Sequence, residues 1–402
     1  MPDSSIVSDP LFDFELSVTP EKISFQSGPE FPEEAVGYLQ RYLEQISNYR
    51  NISSNGDFCW SLYHPPINWP AGKRALYFRL KRKFHGIRVP AVATIGMTRQ
   101  CQCHCPHCSA DYHMSKSGPD LDTAGMIAAF QETADLGANN IIMVGGEPLL
   151  RNDLEEIIQA VEKEKAIVTM FTNGEFLSLD RAKALKSAGL FGLFVSLDET
   201  HAEAHNRLRN RKGLFEKACQ GIENAGKAGL YVAISSYLTS SRVDSGFLDE
   251  MMSFGQSLSV DEVTFFDAIP TGRMNNGCCT YIEETDRKKI NDKIKYYRKN
   301  SAFPALSAQS SLTSSIGNAF CFAANTQFYL SSTGQFCPCD FTPLTIGSYP
   351  EKDINTLWHM LIQSLPYKKP SKTCRMQDSA FRQQFIETIP EDAGLPYNIE
   401  AF

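Results

Sequence analysis

The sequence predicts an α/β fold with a parallel sheet, in the form of a partial (β/α)6 barrel. Apolar strands alternate six times with amphipathic helices between residues 89 and 300, which is the pattern of a parallel sheet covered by helices. A cysteine-rich loop directly follows the first strand, and in such barrels the chemistry lies at the carboxyl ends of the strands. A doubly wound sheet is the alternative, but no glycine-rich dinucleotide fingerprint follows that strand.

The barrel elements follow from hydrophobic periodicity. Strands are predicted over residues 90–97, 140–144, 167–171, 192–197, 231–238 and 262–268. Helices are predicted between them over residues 123–136, 153–163, 179–187, 214–228 and 244–256. We therefore assign residues 89–300 to the barrel.

Four further segments are predicted around the barrel. Residues 1–88 form an N-terminal extension with a weakly alternating segment over 12–25 and helices over 32–49 and 73–85. After the barrel come a Ser/Ala-rich linker (301–316), a small cysteine-bearing module (317–375) with a hairpin and a helix over 354–365, and a polar, irregular C-terminal tail (376–402).

The composition limits the function. Hydrophobic residues make up 42% and charged residues 21% of the 402 residues, as in ordinary globular proteins. A net charge of -7 argues against binding to nucleic acid. No transmembrane run or signal peptide is evident. The twelve cysteines then indicate a reducing, cytoplasmic location and metal chemistry rather than disulfides.

The strongest chemical signal is a cluster of thiols after the first strand. Cys101, Cys105 and Cys108 have the spacing Cys-x3-Cys-x2-Cys, and Cys103 is an additional thiol. Thiolates this close repel one another unless a soft cation binds them. Zinc favours four ligands in a closed tetrahedron, whereas three cysteines on one loop suit a cubane iron–sulfur cluster with one open iron.

This spacing resembles that of the radical SAM superfamily, in which the open iron chelates S-adenosylmethionine (SAM). The family usually has an aromatic residue before the last cysteine, where this chain has His107. The second strand ends in Gly145-Gly146-Glu147-Pro148, which resembles the family's GGEP motif and implies a site for the amino group of SAM. A plain strand-to-helix turn is the alternative interpretation.

Further SAM-binding residues are implied at later strand ends. Asn173 follows the third strand and Ser196 ends the fourth, in the places where the family presents polar side chains to the ribose and carboxylate of SAM. Arg207 lies where relatives carry an arginine for the SAM carboxylate, which a guanidinium binds well. Arg209 or Arg211 are alternatives for this role.

A second cysteine pattern lies near the C-terminus. Cys321-x12-Gly334-x4-Cys339 resembles the opening of the SPASM/twitch extension, which carries auxiliary iron–sulfur clusters. Only Cys374 follows, so the resemblance implies one auxiliary cluster in a twitch-like module. Cys337 is either a fourth ligand or a packed hairpin residue, and in the second case the cluster has an open iron.

Two aspartates are candidate catalytic bases. Asp340 directly follows the second cysteine of this pattern, where peptide-modifying relatives use an aspartate to deprotonate the substrate. Asp267, at the end of the sixth strand, is the competing candidate.

The resemblance implies a radical SAM oxidoreductase that cleaves SAM to a 5′-deoxyadenosyl radical and abstracts hydrogen from an unactivated carbon. Flavodoxin or ferredoxin is the expected electron donor. The aromatic N-terminal segments and the basic helix at 73–85 suit an acidic tetrapyrrole. The chain is similar to the bacteriochlorophyllide C7-methyl hydroxylases, which implies hydroxylation of a methyl group towards formyl.

Three alternatives stay open. The substrate is a ribosomally made peptide in the first, and the chain is a non-catalytic zinc or iron–sulfur protein in the second. In the third, the basic helix contacts an anionic surface or is simply solvated.

Overall fold

The computed structural model describes residues 6, 8–19, 23–53, 56–114, 118–276, 281–298, 300–309 and 321–402. Its strands are β1 (Phe14–Val18), β2 (Ile23–Ser27), β3 (Val92–Gly96), β4 (Asn140–Val144), β5 (Ile167–Thr172), β6 (Gly192–Ser196), β7 (Tyr231–Leu238), β8 (Glu262–Asp267), β9 (Ala305–Ala308), β10 (Gln327–Leu330), β11 (Phe336–Cys337), β12 (Leu344–Thr345) and β13 (Tyr397–Asn398).

The helices alternate with these strands through the barrel. They are α1 (Glu33–Ser47), α2 (Pro70–His85), α3 (Asp111–Met114), α4 (Thr123–Leu136), α5 (Leu154–Gln159), α6 (Leu179–Ala188), α7 (Ala202–Arg209), α8 (Leu214–Lys227), α9 (Ser240–Asp244), α10 (Phe247–Ser257), α11 (Glu284–Arg298), α12 (Ile354–Gln363) and α13 (Ser379–Phe385). Within the described residues, no helix is both long and apolar enough to cross a membrane.

A nine-stranded sheet organises the molecule. Its order is β11-β10-β3-β4-β5-β6-β7-β8-β9. All neighbouring strands from β10 to β9 are parallel, and β11 runs antiparallel to β10. The predicted α/β class with a parallel sheet is therefore confirmed, and the sheet extends beyond six strands on both sides.

Local sequence signals set the helix boundaries. The side chain of Asp122 accepts a hydrogen bond from the amide of Gly125 and so begins α4, while Ser178 does the same for α6. Gly137 and Gly189 end these two helices. The buried faces of the helices and the sheet form one large apolar core.

The N-terminal extension closes the amino end of the barrel. It has an apolar core of its own, to which β1, β2, α1 and α2 contribute. In the segment before α2, the Ser61 hydroxyl and the Leu62 amide donate to the carboxylate of Glu262, at 2.9 and 2.7 Å. Burial raises the pKa of Glu262 to about 7. This buried contact joins the extension to the start of β8.

Three predictions about the chain are wrong in part. Ala305–Ala308, within the predicted linker, forms β9, because this short segment pairs with β8 along the sheet edge. The tail predicted to be irregular contains α13, whose Phe381 and Phe385 are buried. The helix predicted over residues 244–256 begins only at Phe247, because Gly246, with a φ of 82°, precedes it as the N-cap of α10. Positions 310–320, at the junction of the predicted linker and module, lie outside the described residues.

Candidate active site

The four cysteines of the first βα loop lie together at the carboxyl end of β3. Cys103 and Cys105 are buried against Leu214 at the start of α8, and Cys101 and Cys108 pack against this group. The amide of Cys103 donates to the Sγ of Cys101 at 3.4 Å. A hydrogen bond from the Cys103 thiol lowers the pKa of Cys105 to about 6, whereas burial raises that of Cys108 to about 11.

This arrangement differs from a single-ion site. Among the described residues, no group of three or more His, Cys, Asp or Glu side chains is placed to hold one metal ion. A zinc ion gathers its thiolates at about 2.3 Å around one point, whereas a cubane cluster spreads its thiolates over separate irons.

The glycines after β4 allow the backbone of the cysteine loop to run against the end of this strand. Gly145 has a φ of 126°, and a Cβ on Gly146 would lie 2.0 Å from the carbonyl oxygen of Gln100. The Gly146 amide donates to the oxygen of Thr98 at 2.7 Å, and the Glu147 amide donates to that of Gln100 at 2.8 Å. The motif thus holds the cysteine loop itself, in addition to lining the cavity described below.

Glu147 is almost completely buried and its carboxylate has fixed partners. Oε1 accepts from the Thr172 hydroxyl at 2.7 Å and from the Leu149 amide at 3.0 Å, and Oε2 accepts from the Asn173 amide at 2.8 Å. Burial raises the pKa of Glu147 above its usual value. Pro148 begins the short 3₁₀ helix that follows. The carboxylate is therefore held rigidly at the wall of the cavity.

Several buried polar atoms near the loop have no hydrogen-bond partner among the described residues. Asn173 Oδ1 accepts from Gln102 Nε2 at 3.2 Å and from the Glu175 amide at 3.0 Å. In the described part of the chain, Asn173 Nδ2, Gln102 Oε1 and His107 Nδ1 are buried without a hydrogen bond. Ser196 lines the same cavity. Because buried polar atoms are normally satisfied, these atoms indicate a place for a polar ligand.

Arg207 does not face the cavity, so its predicted role is wrong. Its side chain is 71% exposed and lies 3.9 Å from Glu203. Arg209 is 14% exposed and lines the cavity. Since residues two apart project from nearly opposite sides of a helix, α7 directs only one of these two arginines inward. Arg211 forms an ion pair with Glu175 instead.

Arg209 belongs to a network that reaches the cysteine loop. Its Nε and Nη2 donate to the two carboxylate oxygens of Asp198, and its Nη1 lies 3.8 Å from the Sγ of Cys105. The Nε2 atom of His107 lies 3.1 Å from Asp198 Oδ2, and the His107 ring stacks on Tyr237. Burial alone would raise the pKa of Asp198, but Arg209 and His107 lower it well below its usual value. The network connects the loop to the ends of β6 and β7.

A cavity of about 1000 Å³ joins these groups to the N-terminal extension. At one end lie the cysteine loop and the ends of the barrel strands. The other end is lined by aromatic and basic side chains of the extension, which include Tyr38, Tyr42, Trp60, Arg79 and Arg82. The volume is at the upper end of the usual range for ligand sites.

Comparison with known proteins identifies the domain that contains the site. The sequence profile of the Radical SAM superfamily matches residues 95–240, which contain the cysteine loop, the glycine motif and α7. The chain carries a radical SAM domain. It is 25% identical to an AdoMet-dependent heme synthase of Methanosarcina barkeri over 344 residues, covering 75% of this chain and 95% of the relative. It is 28% identical to an Fe-coproporphyrin III synthase of the same organism over 182 residues, covering 45% of each chain.

The fold agrees with this assignment. SuiB of Streptococcus suis, in its structure bound to the precursor peptide SuiA, superimposes with a TM-score of 0.57 and 16% identity. The match covers 86% of this chain and 87% of SuiB. The predicted partial barrel is confirmed, and the radical SAM domain matched over residues 95–240 indicates an enzyme.

The residues of the site fit the cofactors of the radical SAM family. The family uses a [4Fe–4S] cluster together with SAM. Cys101, Cys105 and Cys108 are the thiolates that would hold the cluster. The carboxylate of Glu147 and the unsatisfied Nδ2 of Asn173 line the same cavity and are the polar groups that would meet SAM.

Arg273, after β8, fixes the same loop from the opposite side. Its amide donates to the carbonyl oxygen of Cys108 at 3.1 Å, and its Nη1 donates to that of Cys105 at 3.1 Å. Its Nε donates to Asp111 at 2.8 Å. The first and sixth barrel strands are thereby joined through the cysteine loop.

Both candidate bases line the cavity but differ in their environments. Asp340 accepts from Gln327 Nε2 at 3.0 Å, and burial raises its pKa to about 6. Asp267 is also buried, with its Oδ2 3.5 Å from the guanidinium of Arg287. A carboxyl group that titrates near neutral pH is suited to proton transfer, which favours Asp340.

The C-terminal cysteines form a separate group. Cys321 and Cys374 share a side-chain hydrogen bond, and Cys339 interacts electrostatically with both. The bond to Cys374 lowers the pKa of Cys321 to about 6. Cys337 is instead buried opposite Tyr329 in the β10–β11 hairpin and acts electrostatically on that tyrosine. The structure thus brings together three of the four predicted ligands.

Sequence reasoning missed the pairing of Asp198 with Arg209 and His107. From the sequence, His107 is only a departure from the family pattern, and Arg209 is only an alternative to Arg207. Arg209 is four residues after the buried His205 and therefore lies on the same face of α7. This helical period indicates which arginine points inward. From the sequence, Arg79 and Arg82 are indistinguishable from the other cations of the basic helix at 73–85.

Proposed function

We propose that this radical SAM enzyme oxidises an unactivated C–H bond of a tetrapyrrole. The observation that carries the proposal is the cavity of about 1000 Å³, which extends from the cysteine loop to an aromatic and basic wall. Such a space suits SAM together with a large, flat, acidic molecule. The cluster and SAM, when bound, supply the radical that removes a hydrogen atom. The barrel orients both reactants and excludes water.

The sequence relatives support this substrate class. One relative is named a heme synthase and aligns over almost its whole length, and another is named an Fe-coproporphyrin III synthase. Both names refer to tetrapyrroles. We infer that the aromatic lining contributed by Trp60 and Tyr63 contacts the macrocycle of the substrate.

For the reaction we propose hydroxylation of a ring methyl group of a bacteriochlorophyll precursor, towards a formyl group. The basis is the resemblance noted above, together with the tetrapyrrole relatives. The overall reaction consumes the methyl compound, SAM and water. It yields the hydroxymethyl compound, 5′-deoxyadenosine, methionine and a proton. Asp340, whose pKa is raised to about 6 by burial, is the proposed acceptor of that proton.

We also propose that Cys321, Cys339 and Cys374 bind one auxiliary iron–sulfur cluster, with Cys337 outside the ligand set. Three buried thiols that interact with one another support this assignment. Such a cluster supplies an acceptor for the electron released by the substrate. The proposed electron donor is flavodoxin or ferredoxin, in the reducing compartment that the cysteine content favours.

A peptide is the second candidate substrate. SuiB, which has the same fold, has been crystallised with its precursor peptide. In favour of a peptide, Asp340 lies where peptide-modifying relatives use an aspartate. Against it, the described residues of the extension form a hairpin and two helices rather than a winged helix for a leader peptide.

The test is turnover by anaerobically reconstituted enzyme with SAM and a chemical reductant. Candidate tetrapyrroles, including a bacteriochlorophyllide, and a panel of precursor peptides are supplied separately. We expect one equivalent of 5′-deoxyadenosine per product and a gain of one oxygen atom in the tetrapyrrole by mass spectrometry. Modification of a peptide with no change in any tetrapyrrole would overturn the proposal.

A further inference from the structure

We propose that Arg79 and Arg82 of α2 form the binding site for a carboxylate side chain of the substrate. This inference rests on the proposed tetrapyrrole function. The two arginines are three residues apart, so they project from the same face of the helix. Both line the cavity that begins at the cysteine loop.

Neither guanidinium group has a compensating anion among the described residues. Within the described ranges, no carboxylate lies within 4.0 Å of either group, and Arg79 Nε is buried without a hydrogen bond. Arg82 makes a hydrogen bond from Nη1 to the backbone oxygen of Val89 at 3.1 Å. Buried or half-buried cations at this spacing repel each other unless an anion binds between them.

Neighbouring cations on the same helix are treated differently. Lys73 lies 2.8 Å from Glu15, and Lys81 lies 2.8 Å from Asp9. Other segments of the N-terminal extension therefore supply carboxylate partners for these two lysines. Arg79 and Arg82, which face the cavity, have no such carboxylate partner in the part of the chain that the structure describes.

The surroundings hold the arginines in place without neutralising them. The guanidinium of Arg79 stacks over the ring of Tyr42, with Cζ 4.1 Å from the centroid. His64 stacks on Trp60 beside them, and burial together with both arginines lowers the pKa of His64 to about 4. The imidazole is thus neutral and adds no third charge. Burial and Arg79 also lower the pKa of Arg82 to about 10.

The carboxylates that line the cavity all lie at one end, where Arg209 and Arg273 also lie but are already paired with Asp198 and Asp111. These carboxylates are Glu147, Asp198, Asp267 and Asp340, all at barrel strand ends or in the C-terminal module. An acidic substrate is repelled from that end and attracted to the arginines. This polarity would orient the macrocycle with its carboxylate at α2 and an uncharged edge towards the cysteine loop.

The experiment compares binding of protoporphyrin IX with binding of its dimethyl ester, followed by absorbance titration. We expect the wild-type protein to bind the diacid about tenfold or more tightly than the ester. Arg79→Gln and Arg82→Gln should each reduce this ratio towards one, and Arg79→Lys should restore part of it. Lys73→Gln, which removes a charge from the same helix, should leave the ratio unchanged. Iron content and thermal unfolding check that each variant is folded.

The outcomes separate the two proposals. If the wild-type protein binds diacid and ester equally, or if both glutamine variants keep the wild-type ratio, the carboxylate site is wrong while the tetrapyrrole function stands. If neither porphyrin binds, the tetrapyrrole function itself is overturned, and the carboxylate site with it.

Discussion

Arg209 holds Asp198 through two parallel hydrogen bonds, with its Nε 2.6 Å from Oδ2 and its Nη2 3.0 Å from Oδ1. The pair is buried beneath the cysteine loop, and the third nitrogen of the guanidinium lies 3.8 Å from the Sγ of Cys105. This bidentate pair connects the end of α7 to the loop that carries the predicted cluster ligands.

The first prediction follows from this pair. Arg209→Gln leaves Asp198 buried without its cation, so the free energy of unfolding should fall by about 3–5 kcal/mol. Arg207→Gln is the matched control, because Arg207 is 71% exposed, and its effect should stay within about 0.5 kcal/mol. Urea denaturation measures both. Equal effects of the two variants would contradict the assignment of the inward face of α7.

The second prediction concerns the cysteine loop. Cys105→Ala should lose about four irons per chain and all formation of 5′-deoxyadenosine, because a thiolate ligand of the cubane is removed. Cys103→Ala should keep the iron, since the spacing needs only the other three cysteines. Iron and sulfide analysis after anaerobic reconstitution measures both. Retention of the cluster in the Cys105 variant would show that the ligand set is wrong.

The third prediction concerns Glu147. Glu147→Gln replaces an acceptor of three hydrogen bonds with a group that also carries a donor. SAM binding should weaken by about 1.5–3 kcal/mol, the usual contribution of a hydrogen bond to a charged group. Isothermal titration with SAM provides the measurement. Glu203→Gln, on the exposed face of α7 and 95% exposed, is the control, and an unchanged affinity in the Glu147 variant would leave that residue only its structural role.

The fourth prediction concerns the C-terminal thiols. Cys339→Ala should lose the auxiliary iron and product formation while SAM is still cleaved slowly, because the barrel cysteines lie on a separate loop. Cys337→Ala should keep all of its iron, since Cys337 faces Tyr329 in the hairpin. Mössbauer spectroscopy with iron counting distinguishes one cluster from two. A wild-type protein that holds a single cluster would refute the auxiliary site.

The fifth prediction is a pH dependence of stability at Glu262. Burial raises its pKa from 4.5 to about 7, so the folded state binds more protons than the unfolded state between these values. This contribution, on the order of 3 kcal/mol, is fully present below pH 4.5 and is lost as the pH rises through 7. The difference in unfolding free energy between wild type and Glu262→Gln should therefore change across this window. A pH-independent difference would show that the carboxyl group is not buried as described.

The active-site loop and most barrel strands were predictable because their signals are local in the sequence. Four thiols within eight positions limit the chemistry whatever the rest of the chain does. The predicted bounds of β4 and β7 agree with the structure, since apolar runs between polar turns leave little choice of register. By contrast, Ala305–Ala308 has no such run, and only pairing with β8 makes it a strand.

The sequence by itself determined which residues are available to bind a cluster and SAM, and that a second group of cysteines lies near the C-terminus. Only the tertiary structure decided which of them meet. Arg207 and Arg209 are the same residue type two positions apart. The packing of α7 on the barrel exposes Arg207 to solvent and places Arg209 against Asp198. In the same way, the docking of α2 leaves Arg79 and Arg82 facing the cavity. The same helical sequence can pack in different rotations about its own axis. Only contacts with residues distant in sequence determine which face points inward.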